Sequence, residues 1–352
     1  MISSAVLGLR INTQESKTMN SKHIKVLACA AAVCGGVLAS NANATPSGKD
    51  AGASPQEKPT AEAESAPEGW HYDAGSGLVF GEQSVVTASA GLAFDSKFMS
   101  YGLVDNKDPI VTPSASITFF DWVNFEVAAL FDVTKYGRKA GYSNRGGKYI
   151  ELDPGASLSH AFTSEDLEWL PTTVEFSLGY AYEYHPEAMG HRTGDPGEDT
   201  QFVSFEVSLP DLWVEPTFQY ERDISRDNGT YLNLELGHAF ALIDGAGEDD
   251  DPILSFRPSI GQGLGNTQRV AGYLVKHGTE DEALDHGGLM DTCIKGELTW
   301  QISSWLTLSG YVAYYDYLFD RQMRDAARDY EATGRDDTSY HFVGGLALNA
   351  TF

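Results

Sequence analysis

The residues with the most chemistry to offer are carboxylates that recur at alternate positions of extended segments. Glu126, Asp132, Glu151, Asp153, Glu175, Glu183, Glu206, Glu215, Glu221, Glu235 and Glu297 all fall on the polar parity of such segments. Only Arg257 and Lys295 share that parity as cations. Glu126, Glu175, Glu206, Glu215, Glu235 and Glu297 are expected at mid-segment, so they would form a belt if those faces enclosed water. A belt of carboxylates concentrates cations and repels anions. The competing arrangement pairs these acids with Arg257, Lys295 and loop arginines in a filled interior, where their field is spent locally. Gln219, Asn233, Thr299, Gln301 and Tyr231 complete the polar parity with neutral groups.

Other chemistry is poorly supplied. The chain has no H-E-x-x-H, no G-x-S-x-G and no glycine-rich phosphate loop on a suitable scaffold. In Leu158-Ser159-His160 the serine and histidine alternate, so a strand would place them on opposite faces, which a shared nucleophilic site forbids. The runs Asp195–Asp199 and Glu248–Asp251 are acidic, yet neither has the spacing of a calcium loop. The nine histidines show no ligand spacing, and His185 and His191 are expected exposed in one loop. The sequence therefore predicts no catalytic residue, no metal site and no cofactor.

The elements that must position the carboxylates are strands. In 123–133, Val123, Phe125, Val127, Ala129, Phe131 and Val133 alternate with Asn124, Glu126 and Asp132. Phe176, Leu178, Tyr180 and Tyr182 alternate with Glu175, Ser177, Gly179 and Glu183, and Val203, Phe205 and Val207 with Ser204, Glu206 and Ser208. Leu232, Leu234 and Leu236 alternate with Tyr231, Asn233 and Glu235, and Ile294, Leu298 and Trp300 with Lys295, Glu297 and Thr299. A period of two gives each segment one apolar and one polar face. Runs of this kind predict twelve strands, over 84–101, 109–120, 122–135, 147–162, 171–185, 200–210, 212–224, 229–241, 251–262, 287–302, 304–319 and 339–352. All reach the 9–11 residues that a tilted strand needs to cross a bilayer.

Short connections such as Asp121-Trp122, Pro210-Asp211 and Ser303-Ser304 alternate with longer polar ones, including 136–146, 186–199, 263–286 and 320–338. That rhythm belongs to a transmembrane barrel, short turns at one end and long loops at the other. Tyr180, Tyr182, Tyr184, Tyr314, Tyr315, Tyr317 and Phe319 gather where strands meet long loops. Trp122, Trp169, Trp213 and Trp305 lie at the short turns, with Trp213 a candidate to face inward. Aromatic rings at both ends suit the two membrane interfaces. A soluble two-sheet sandwich also alternates, but it would leave its outer faces polar. The fold class predicted is all-β, an antiparallel up-and-down barrel of about twelve strands over residues 70–352.

Charge and targeting agree with that class. The 352 residues carry 24 Lys+Arg against 50 Asp+Glu, a net charge of −26, which excludes nucleic acid as a partner. Lys22 and Lys25, the apolar run 26–38 and Asn41-Ala42-Asn43-Ala44 read as a secretory signal over 19–44, cut after Ala44. Met19 is the expected start and 1–18 an upstream extension. Cleavage would remove Cys29 and Cys34, leaving Cys293 alone as a small inward residue. Residues 45–69, rich in Ala, Pro, Ser, Glu and Gly, are expected as a disordered periplasmic linker. Both barrel ends would then lie on the periplasmic side.

The final segment carries a resemblance. Tyr340, Phe342, Gly344, Leu346, Leu348, Ala350 and Phe352 alternate strictly to the end of the chain. This resembles the terminal strand of Gram-negative outer-membrane β-barrel proteins of the porin-like superfamily. Phe98-Met99-Ser100-Tyr101-Gly102-Leu103, followed by Asp108-Pro109 and Pro113-Ser114, is similar to the first hairpin of porin-like proteins. The resemblance implies that Phe352 is an assembly signal read by the barrel-insertion machinery. The barrel pattern and its acidic faces together lead to the expectation of a monomer in outer-membrane lipid that passes small solutes or cations passively. The alternative is a non-conducting structural or surface-display barrel presenting 186–199, 263–286 and 320–338.

Overall fold

The computed structural model describes residues 70–73, 77–80, 83–133, 148–164, 166–167, 169–185, 199–245, 251–274, 282–332 and 338–352. The signal and linker expected over 19–69 lie outside the described residues, as do His191 and most of both acidic runs. Strands β1 (Trp70–Asp73) and β2 (Gly77–Phe80) form a hairpin ahead of β3 (Gln83–Asp95). A second small hairpin follows, of β4 (Phe98–Ser100) and β5 (Leu103–Asn106). A meander continues through β6 (Ile110–Phe119), β7 (Val123–Asp132), β8 (Lys148–Phe162) and β9 (Val174–Glu183), then β10 (Thr200–Ser208), β11 (Thr217–Asp223) and β12 (Thr230–Gly237). The four-residue β13 (Phe240–Ile243) pairs with β14 (Leu254–Gly265). Helix α1 (Thr267–Tyr273), β15 (Gly288–Ser303), β16 (Leu306–Asp316), helix α2 (Arg321–Ala332) and β17 (His341–Thr351) complete the chain.

Twelve of these strands, β3, β6–β12 and β14–β17, pair antiparallel around a ring. The ring closes where β17 meets β3, from Gly345↔Asp95 to Thr351↔Ser89. Closure leaves no strand edge within the ring, as a bilayer requires of any sheet that crosses it. The tightest turns, 120–122 and 304–305, lie at the end of the barrel that carries both ends of the ring's chain, and the longest connections, 266–287 and 317–340, at the other. Phe120 and Asp121 (φ 54° and 59°) are the two central residues of the turn between β6 and β7, closed by Trp122 N donating to Phe119 O at 3.0 Å, and both are left-handed as a tight hairpin demands.

Parity decides what each side chain meets. Phe125, Leu178, Leu234 and Leu298 point out of the ring, 46–48% exposed, and Val123, Val127, Phe176, Val203, Phe205 and Leu232 share their face. An uninterrupted apolar band around a closed barrel is the exterior that lipid, not water, solvates. Charging that band has a predictable cost. Leu234→Arg should destabilise the folded barrel by about 2–4 kcal/mol if Leu234 lies near the bilayer midplane; urea titration in lipid vesicles checks it, and an unchanged midpoint would place Leu234 away from hydrocarbon.

The seam explains why the last residue matters. Phe352 N donates to Ala88 O at 2.7 Å and Ala88 N to Phe352 O at 3.0 Å, the final backbone pair between β17 and β3. The Phe352 ring stacks on Trp305, centroids 6.4 Å apart. Gly77, at φ 75°, sits where a Cβ would run into Val86 O and Phe352 O, so β2 covers this seam only because the position is glycine. Deleting Phe352 removes a ring and two hydrogen bonds from the joint, and should lower the heat-modifiable fraction seen on unboiled gels of outer membranes.

Several sequence expectations need correction. The strand expected over 84–101 stops at Asp95, because Ser96 turns across to β17: its N donates to Gly344 O and its Oγ accepts from Gly344 N. The expected strand 212–224 begins only at Thr217, after a turn in which Glu215 adopts φ 37°. The loops 263–286 and 320–338 contain α1 and α2. Tyr315 and Tyr317 point inward, 4% and 0% exposed, because Tyr314 takes the outward parity. Trp213 is 72% exposed, stacked on His238.

Candidate functional site

The interior divides into a polar half towards the short turns and a filled half towards the long loops. In the polar half, three sectors differ in chemistry. β3, β6, β16 and β17 contribute Thr87, Ser89, Thr118, Thr307, Ser309 and Asn349, a wall of hydroxyls and one amide. β7, β9 and β10 contribute Glu126, Glu175 and Glu206. Glu175 accepts from Ser208 Oγ at 2.9 Å and Glu206 from Gln219 Nε2 at 2.8 Å, while Glu126 lies over Gly155, where any Cβ would crowd its carboxylate.

The third sector holds the cations. Arg257 Nη1 reaches Glu235 Oε1 at 2.5 Å and its Nε reaches Glu215 Oε2 at 3.2 Å. Glu215 is not on a strand, contrary to expectation. Its turn folds it inward to 2% exposure, where Ala239 N also donates to it at 2.9 Å. On β15, Lys295 Nζ lies 3.4 Å from Glu297 Oε2, two residues along the same strand. Arg257 and Lys295 therefore take three of the six belt carboxylates. Glu126, Glu175 and Glu206 form a separate acidic sector, and Glu151 stands further up β8 towards the long loops.

The filled half matches the competing arrangement of acids paired with loop arginines, but the segment that fills it was not foreseen. The β4–β5 hairpin leaves the wall at Ser96 and crosses the interior to the opposite strands. Its turn is Tyr101-Gly102, at φ 49° and 78°, and a Cβ at Gly102 would collide with the Asp291 side chain. Tyr101 Oη donates to Glu221 Oε1 at 2.5 Å, and Tyr317 Oη donates to the Tyr101 carbonyl at 2.6 Å. Tyr231 Oη donates to Asp291 Oδ1 at 2.9 Å, edge-on to the Tyr101 ring at 4.7 Å.

Arg269 of α1 closes this insert from above. It is 0% exposed, with its guanidinium 4.7 Å from the Tyr101 ring centroid and 5.6–5.7 Å from those of Tyr273 and Phe202. Nη2 lies 3.4 Å from Glu221 Oε1, and Nη1 lies 3.5 Å from Asp227 Oδ2. Burial works against the charge, but Tyr101, Tyr273, Glu221 and Asp227 outweigh it and hold Arg269 above its ordinary pKa. Asn266 caps α1, accepting from Arg269 N at 2.9 Å, and the same oxygen accepts from Thr230 N at 3.0 Å, so α1 is tied to the β11–β12 loop.

Helix α2 completes the insert. Asp320 Oδ1 accepts from Gln322 N and Met323 N at 2.9 and 3.0 Å, starting the helix so that Met323, Ala326 and Ala327 face inward. They join Met99, Leu103, Val270, Tyr273, Leu274 and Met290 in one apolar cluster inside the ring. An aqueous passage through this half requires the insert to shift. Two signals for it were readable: Asp320 with apolar residues three, six and seven positions on, and Asn266 before Thr267.

No family model matches the chain, and no curated protein matches its sequence. Among solved structures it is similar to the COG4313 outer membrane channel from Pseudomonas putida F1, with TM-score 0.42 and 9% identity over 84% of this chain and 100% of that one. OccK11 (OpdR) of Pseudomonas aeruginosa matches at TM-score 0.31 and 12% identity, covering 78% and 68% of the two chains. OmpT, an outer membrane protein of Vibrio cholerae, matches at TM-score 0.32 and 11% identity, covering 76% and 97%.

Proposed function

We propose that this chain is a passive outer-membrane channel for small solutes, preferring cations, whose long-loop mouth is constricted by its own inserted segments. The observation that carries this reading is the polar half of the interior. A barrel built only for structure gains nothing from facing Glu126, Glu175, Glu206, Arg257 and Lys295 inward, since burying charge costs free energy unless water or partners compensate it. A hydrated lumen supplies that compensation. The insert is held by hydrogen bonds, by Arg269 and by an apolar cluster, of which the polar contacts can be exchanged for water. Twelve strands enclose a lumen wider than the side-chain-filled eight-strand barrel and narrower than that of 16–18-strand porins.

Planar-bilayer recording of the purified barrel is the test. Discrete conductance steps with a reversal potential of cation sign across a KCl gradient are expected. Silence from the intact protein and from a variant lacking 98–106 would overturn the channel reading. Both barrel ends on the periplasmic side, monomeric assembly and recognition by the barrel-insertion machinery belong to the same proposal.

A further inference from the structure

Outside the pore sectors and the insert, one group of side chains stands unexplained at the long-loop rim. Leu152 and Tyr184 pair by two backbone hydrogen bonds of 3.0 and 2.8 Å, extending the β8–β9 ladder. That register sets Glu151 opposite His185 and Asp153 opposite Glu183, all four on the inward parity. Their exposures are 2%, 8%, 4% and 0%. Asp199 pins the corner by accepting from His185 N at 3.1 Å.

We propose that Glu151, Glu183 and His185 bind a divalent transition-metal ion at this rim. One ligand atom from each of the three lies within 4.8 Å of the others. Donors around an ion with bonds of 2.0–2.2 Å stand about 3–4 Å apart, so side-chain rotation alone brings them to it. Glu151 Oε2 already lies 3.4 Å from His185 Nε2, while buried Glu151 Oε1 and His185 Nδ1 have no hydrogen-bond partner. Gathering three carboxylates in a buried corner is unfavourable unless protons or a cation offset their repulsion. An imidazole among them selects the class: calcium and magnesium take oxygen donors, whereas zinc, manganese and cobalt accept mixed nitrogen and oxygen sets. The proposal does not depend on conduction, since a silent barrel would hold the ion equally well.

Isothermal titration of the tag-free, chelator-stripped full chain in detergent with Zn²⁺ tests it. One saturable site is expected, which a large excess of Ca²⁺ does not displace. His185→Ala and Glu151→Gln should each weaken binding at least tenfold. Glu151→Gln keeps side-chain shape and relieves repulsion, so it should fold even if the histidine variant does not; heat modifiability shows which variants have folded. The proposal is overturned by no saturable binding, by competition from Ca²⁺ at equal concentration, or by wild-type affinity in folded Glu151→Gln, which would mean ions gather on exposed acids instead.

Discussion

Replacing Arg269 by alanine is expected to open the long-loop mouth, raising single-channel conductance severalfold while the barrel itself stays folded. The guanidinium is the common partner of Glu221 and Asp227 and lies over the rings of Tyr101, Phe202 and Tyr273. Removing one member of a buried charge group costs about 3–5 kcal/mol, because the charge left behind is uncompensated. The ring of twelve strands does not have to bear that cost. Glu221 and Asp227 regain water if α1 and the 98–106 hairpin swing out, and the strand pairings are indifferent to that movement. The predicted phenotype is a larger, noisier current and faster proteolysis at the rim, with unchanged heat modifiability. Arg269→Lys keeps the charge but not the flat fork that serves two carboxylates and three rings, so it should fall between wild type and alanine. Wild-type conductance in a folded Arg269→Ala protein would mean that this contact does not hold the insert.

This expectation rests on a part of the molecule that alternation concealed. Period-two patterning is faithful wherever one face meets lipid and the other the interior, which is why strands such as Val123–Asp132 and Thr200–Ser208 were readable to within a few residues. It fails where a segment leaves the wall. The expected strand runs on to Tyr101 because the inserted hairpin is itself built of short strands, and nothing local marks the departure at Ser96, which is held by a residue 248 positions away. Tyr315 and Tyr317 carry the same message, since aromatic content suggests an interfacial girdle while parity sends them inward to the insert. Helix α1 packs on β12 and β14 and helix α2 on β5, so their amphipathic spacing has no partner visible in chain order. The Glu151–His185 contact joins residues 34 positions apart, through strand register alone, and no ligand spacing exists to find it by.

The charge sectors give the second large expectation, the changing of Glu126, Glu175 and Glu206 together to glutamine. Arg257 and Lys295 offset two of the charges on Glu215, Glu235 and Glu297, so that sector keeps one net negative charge where the acidic sector keeps three. The acidic sector has neutral donors at Glu175 and Glu206, Ser208 and Gln219, which hold a carboxylate in place without cancelling it. One elementary charge about 8 Å from a passing ion contributes about 1 kcal/mol at an effective dielectric constant of about 40. Three together can hold a potential of several kT. The triple variant should fold normally and move the reversal potential in a KCl gradient most of the way towards zero. The wild-type preference should fade at high salt, as the Debye length falls from about 10 Å at 0.1 M to about 3 Å at 1 M. The matching variant in Glu215, Glu235 and Glu297 should behave differently: it strands Arg257 and Lys295, 4% and 5% exposed, without partners, so loss of folded protein should precede any readable change in selectivity. If the first triple variant keeps full cation preference, the acidic sector does not face the conducting path, and selectivity must be set at the rim where Glu151, Asp153 and Glu183 converge.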